Sequence, residues 1–182
     1  MKILVSALLV ATVTLISYGP AYAAPFQNQG SNSSAEKQML LAQKTNLSTA
    51  LIKNQGELQR FMQSNYNNAD NPLNKLPAAA RMHFVDSLVF RSEGLASFSY
   101  DDLRNLSVTD AYRILSLFGA QDSIGSIPNI KPVTDVDYNI LAASPQLYPP
   151  YLQDNICGSP SGNGQYNCVG ARSYTCNPNT CH

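Results

Sequence analysis

The residues best placed to do chemistry stand at the end of the chain. Cys157, Cys168, Cys176 and Cys181 all fall within the last 26 residues, and His182 follows Cys181 directly. A c-type haem is held by two thioethers and the histidine after the second cysteine, normally in the spacing Cys-x-x-Cys-His. Here four residues separate Cys176 from Cys181, the motif occurs once, and no Met- or His-rich apolar pocket is written around it. Zinc on the same side chains would require reduced thiolates. Disulfides ask only for an oxidising compartment, so the four cysteines read as two bridges, each worth about 2–4 kcal/mol through restriction of the unfolded chain. The near pairs, Cys157 with Cys168 and Cys176 with Cys181, are the preferred ones, because a Gly-rich loop and an Asn-Pro-Asn turn let each pair meet; the other two connectivities stay open. No cofactor and no metal is expected.

Elsewhere reactive groups are few. His83 is the other histidine, and the glutamates are Glu36, Glu57 and Glu93. A serine nucleophile would need His83 as its base, yet no G-x-S-x-G elbow accompanies it, and His83 reads as a histidine at the edge of a core. Glu93, followed by Asp101 and Asp102, marks the one place where carboxylates could converge on a cleft, as glycan hydrolysis requires. The competing reading leaves Glu93 solvated and gives Asp102 a capping role, and the chain has no Trp on which a sugar would stack. Glu93, Asp101 and His83 are the catalytic candidates on this basis.

The run "ILVSALLVATVTLIS" after Lys2, then Ala21 and Ala23 in small-x-small order, has the form of a cleaved secretory signal ending at residue 23. The run is shorter than the roughly 20 apolar residues of a membrane span. Of 12 basic and 12 acidic residues, Lys2 would leave with the signal, and so near-neutral a chain carries no electrostatic footprint for nucleic acid or an anionic membrane.

The elements that must position these residues read as mainly α. Residues 24–34 are polar and small, a flexible leader. Ser33 with Glu36 then forms a capping box, and Leu40, Leu47, Leu51, Leu58 and Met62 step by helical intervals, predicting one helix to about Asn65. Its stripe packs inside the domain or forms a coiled-coil seam with a partner, though Lys44 interrupts the register. Helix two is expected from Ala78 to about Glu93, stopping at Gly94. A short helix follows, capped by Ser99 with Asp102, and then "VTDAYRILSLF", capped by Ser107 with Asp110 and stopped by Gly119. Thr134 with Asp137 caps one more. "PQLYPPYLQ" is an extended strap whose Tyr148 and Tyr151 either cover apolar surface or recognise a partner.

The expected architecture is therefore a small bundle of about four helices at 35–156 with an irregular, disulfide-stapled tail at 157–182. The expected function is that of a periplasmic or secreted, non-enzymatic binding or accessory protein, acting on an unidentified protein partner through the long helix or through Tyr148 and Tyr151. A cell-wall glycan hydrolase using Glu93 and a haem carrier using Cys176, Cys181 and His182 are the alternatives.

Overall fold

Ser107 accepts a hydrogen bond from the Asp110 amide at 3.1 Å, and its hydroxyl donates to the Asp110 carboxylate at 2.9 Å, which starts α4 (Val108–Ser116) where the sequence places it. The helix buries Val108, Ala111, Ile114 and Leu115, and Gly119, with φ of 68°, ends the segment in the left-handed region. α5 (Asp135–Ala143) likewise begins at the expected Thr134–Asp137 capping box. In the computed structural model, residues 29–65, 67–144, 151–160 and 162–182 are described. The signal segment, Tyr148 and the first part of the leader lie outside them.

The other helices depart from expectation. The long leucine-striped helix is two: α1 (Gln29–Thr49) and α2 (Gln55–Ser64), with residues 29–34 of the expected leader already helical. Asn54 breaks the run by accepting a hydrogen bond from the Glu57 amide at 3.0 Å, while the Glu57 carboxylate accepts from the Lys53 amide at 2.7 Å. These reciprocal bonds satisfy donors that a helix start leaves unpaired. The break turns Ile52 fully inward and Leu51 outward, so the stripe is no coiled-coil seam.

The expectation of a mainly helical bundle is overturned by a four-stranded antiparallel sheet, in the order β1 (Val89–Arg91), β2 (Gly94–Ser99), β4 (Asn167–Cys176), β3 (Leu152–Gly158), which makes the protein mixed α/β. α3 (Ala78–Asp86) stops well short of Glu93. The Ser87 hydroxyl donates to the Phe84 carbonyl at 2.6 Å and accepts from the Ser99 amide at 2.9 Å, so one side chain both closes the helix and ties it to a strand. Then come β1 (Val89–Arg91) and β2 (Gly94–Ser99), joined by the two-residue turn Ser92-Glu93. Val89-Phe90 and Phe98-Ser99-Tyr100 carry the β-branched and aromatic types that suit a pleated sheet, and β2 is buried along its whole length.

The tail supplies the rest of the sheet as β3 (Leu152–Gly158) and β4 (Asn167–Cys176). Its poverty in apolar residues does not keep it from ordering, because the β4 backbone pairs with β2 at Ser97, Phe98 and Ser99. After β4 the chain turns back: the Asn177 amide donates to the Ala96 carbonyl at 2.7 Å, and the Thr180 hydroxyl to the Leu95 carbonyl at 3.1 Å. That turn carries Cys181 to Cys157, whose amide donates to the Ser97 hydroxyl at 3.0 Å. The bridges are Cys157–Cys181 and Cys168–Cys176, with Cα separations of 5.5 and 5.7 Å, not the near pairs preferred from sequence. The return of the tail over β2 brings Cys181 to Cys157, and Cys168 is then joined to Cys176 of the same strand, 8 residues on.

The main core lies against β2 and gathers Phe84 of α3, Phe98 of β2, Phe118 and Tyr151 in edge-to-face contacts at 6.1–6.4 Å between centroids. A second, smaller cluster packs Ala96 of β2 with Cys157, Cys176 and Cys181.

Candidate functional site

β2 decides the fate of the acidic candidates. Glu93 sits in the hairpin turn before it, whereas Asp101 and Asp102 follow its other end. Six residues at about 3.3 Å each separate them by about 20 Å, far more than the roughly 5–10 Å between the two carboxyls of a glycosidase. The three acids do not converge. Asp101 pairs with Arg104 at 3.0 Å instead, and Glu93 stands 3.9 Å from the His182 ring.

Asp102 does not cap a helix through Ser99, which lies at the end of β2. Its carboxylate meets Nδ1 of His83 at 2.6 Å. That hydrogen bond, and then the charge of Asp102, raise the His83 pKa above its ordinary value. The pair stands at the surface, with the His83 side chain 59% exposed. Sequence reasoning placed both residues and missed their partnership, since 19 positions separate them.

Tyr151 is 1% exposed and packs on Phe98, which places it in the core, as the apolar-cover reading of the strap expects. Burial pushes its phenol pKa well up. Cys176 and Cys181 belong to two different disulfides, which leaves neither sulfur for a haem thioether.

The structure offers a different site beneath α1. Leu40, Gln43, Lys44 and Leu47 recur at helical intervals and share one face of the helix, which overhangs the tail turn and the β1–β2 turn. Against this face lies a groove of about 430 Å³, which Glu93 and Asn179 also line. The Asn179 side-chain amide donates to Oε1 of Gln43 at 2.8 Å, and the Asn179 backbone amide donates to the Asn177 side chain at 3.0 Å. The Cys157–Cys181 bridge holds this turn in place two residues further on. Lys53 also lines the groove, and its ammonium donates to the Ser48 carbonyl at 2.6 Å.

Two features give the groove chemical character. Gln43 is 2% exposed, yet its Nε2 has no hydrogen-bond acceptor among the described residues. Buried donors are nearly always paired, and leaving one unpaired costs about 1–3 kcal/mol. Lys44, Lys53 and Glu93 line the same groove, two positive charges and one negative. Leu40 and Leu47 give an apolar lining. The sequence signal for this site was the polar pair Gln43-Lys44 interrupting the leucine stripe, legible only once the tail is known to fold beneath it.

Comparison with known proteins returned no matching family model, no matching curated protein and no matching solved structure.

Proposed function

We propose that the protein is an exported, non-enzymatic binding or accessory protein of the periplasm or the exterior, acting through contacts with a protein partner, and that the groove beneath α1 is the contact surface. The groove's apolar lining of Leu40 and Leu47 carries this reading, because a partner laid there would take that surface out of water. The helix above it leaves Leu41 67% exposed and Leu40 37% exposed, apolar area available to the same partner. The two disulfides are consistent with an oxidising compartment, and no helix among the described residues is long and apolar enough to cross a membrane. Nothing in the geometry favours the hydrolase or haem alternatives, since the acids are about 20 Å apart and the sulfurs are joined.

A photo-crosslinking residue placed at Leu41 in the producing cell tests the reading, with Tyr138 on α5, 59% exposed, as the control position. A discrete protein adduct from position 41 and none from 138 is the expected result. Equal labelling from both positions, or no adduct at 41, would overturn it.

A further inference from the structure

The two disulfides stand against each other. The sulfurs of Cys157, Cys176 and Cys181 all lie within 4.8 Å of one another, so one half of the Cys168–Cys176 bridge touches the neighbourhood of both halves of Cys157–Cys181. Disulfides exchange when a thiolate attacks one of their sulfurs, and the outcome depends on which sulfur can be reached and which thiolate leaves. Access differs sharply among the four: Cys176 is fully buried, Cys157 and Cys181 are nearly so, and Cys168 is half-buried. Cys168 is the second residue of β4, directly after the exposed, Gly-rich residues 162–165 of the β3–β4 connection. We infer that the four cysteines form a thiol–disulfide exchange site, entered at Cys168 by a low-molecular-weight thiol, which passes the bond inward to Cys157–Cys181.

The exchange runs in two steps. First the external thiol, having lost its proton, bonds to Sγ of Cys168; the Cys168–Cys176 bond breaks and Cys176 leaves with the electron pair. That thiolate now lies within 4.8 Å of both sulfurs of the other bridge. It bonds to one of them, the Cys157–Cys181 bond breaks, and the sulfur set free takes up the proton. Two S–S bonds are present at every stage, so nothing is oxidised or reduced overall and the thiol is the only co-reactant. The bond cut in the second step is the one that ties the turn carrying Asn179, and with it the 2.8 Å contact to Gln43 of α1, to β3. A thiol arriving at the half-buried cysteine therefore loosens a bridge that it cannot reach itself.

Incubation of the mature, disulfide-bonded protein with reduced glutathione, followed by acid quenching, alkylation, digestion and mass spectrometry, tests both steps. The first adduct carries glutathione on Cys168, about tenfold or more above any other cysteine, and its alkylated thiol is on Cys157 or Cys181. Two variants separate exchange from mere loss of a bridge. Cys168→Ser and Cys176→Ser both remove Cys168–Cys176, but only the first leaves a thiol within 4.8 Å of both sulfurs of the other bridge. Without any added thiol, alkylation in Cys168→Ser spreads from Cys176 to Cys157 or Cys181, whereas in Cys176→Ser it stays on Cys168. Glutathione found first on a cysteine other than Cys168 would overturn the point of entry. An alkylated thiol confined to Cys176, in the treated protein and in Cys168→Ser alike, would overturn the transfer, and equal spreading in the two variants would assign it to unfolding instead of to the placement of Cys176.

Discussion

Asp137 and Thr109 join two helices through one carboxylate. Oδ1 of Asp137 accepts from the Thr109 amide at 2.8 Å and from its hydroxyl at 2.6 Å, at the start of α4, while Oδ2 accepts from the Val133 and Thr134 amides at 3.0 and 3.1 Å, at the start of α5. A negative charge at two helix N-termini is favourable at both, and it is fully enclosed. Asp137→Ala therefore unpairs donors at both helices at once, and thermal unfolding is expected to shift down by about 10 °C.

The same contacts set an acid limit. The Thr109 side-chain hydrogen bond, with the backbone donors, holds the Asp137 carboxyl well below the usual carboxylate range, and the Tyr100 phenol at 2.6 Å lowers Asp154 in the same way. A carboxyl depressed in the folded state contributes stability above its unfolded value of about 3.9 and loses it as pH falls through that value toward the folded one. Denaturant midpoints should thus hold steady down to about pH 5 and fall below it. Asp137→Asn should flatten that fall, and an unchanged slope would contradict the assignment.

His83 shifts the other way and gives an independent check. Its raised pKa means the pairing with Asp102 stabilises below the unfolded value near 6.5 and fades as pH rises through the folded one. In an NMR titration the His83 imidazole should titrate above 6.5, and Asp102→Asn should bring it back toward that value. Stability should change by well under 1 kcal/mol, because the pair is exposed.

How much of this was legible follows from the range of each interaction. Ser107 with Asp110 and Thr134 with Asp137 lie three residues apart, so α4 and α5 could be read directly. Asn54 with Glu57 is the same kind of signal, overridden by the leucine stripe across it. β2 and β4 pair residues about 75–80 positions apart, and no local pattern announces which strand a Gly- and Asn-rich tail will join. The groove inherits that difficulty. Gln43 meets Asn179 across 136 positions, and its unpaired donor acquires meaning only after that contact forms.

The cysteines extend the point to a covalent prediction. Proteolysis without reduction should release fragments linked Cys157 to Cys181 and Cys168 to Cys176. The first bridge spans 24 residues and the second 8, so loop closure assigns more stability to the first. Replacing Cys157 and Cys181 by Ser should cost about 3 kcal/mol, and replacing Cys168 and Cys176 less. The first pair of substitutions should also loosen the turn that carries Asn179 and its hydrogen bond to Gln43.

Gly119 tests how α1 is seated above the groove. Its φ of 68° already strains any residue with a Cβ, and a Cβ there would lie 2.5 Å from the Asn46 carbonyl oxygen and 2.8 Å from Cα of Leu47. Both are backbone atoms of the last turns of α1, which rotamer changes cannot move aside. Gly162, with φ of 64°, has nothing within 4 Å of the same position and so carries the conformational cost alone. Gly162→Ala should lower stability by about 1 kcal/mol and Gly119→Ala by about 3 kcal/mol, with the excess arising from displacement of α1. Amide hydrogen exchange locates that excess: in Gly119→Ala protection should drop in the last turns of α1 while the sheet keeps its own. Equal losses in the two variants would mean that α1 rides free of the body, and the groove beneath it would then lack a fixed wall.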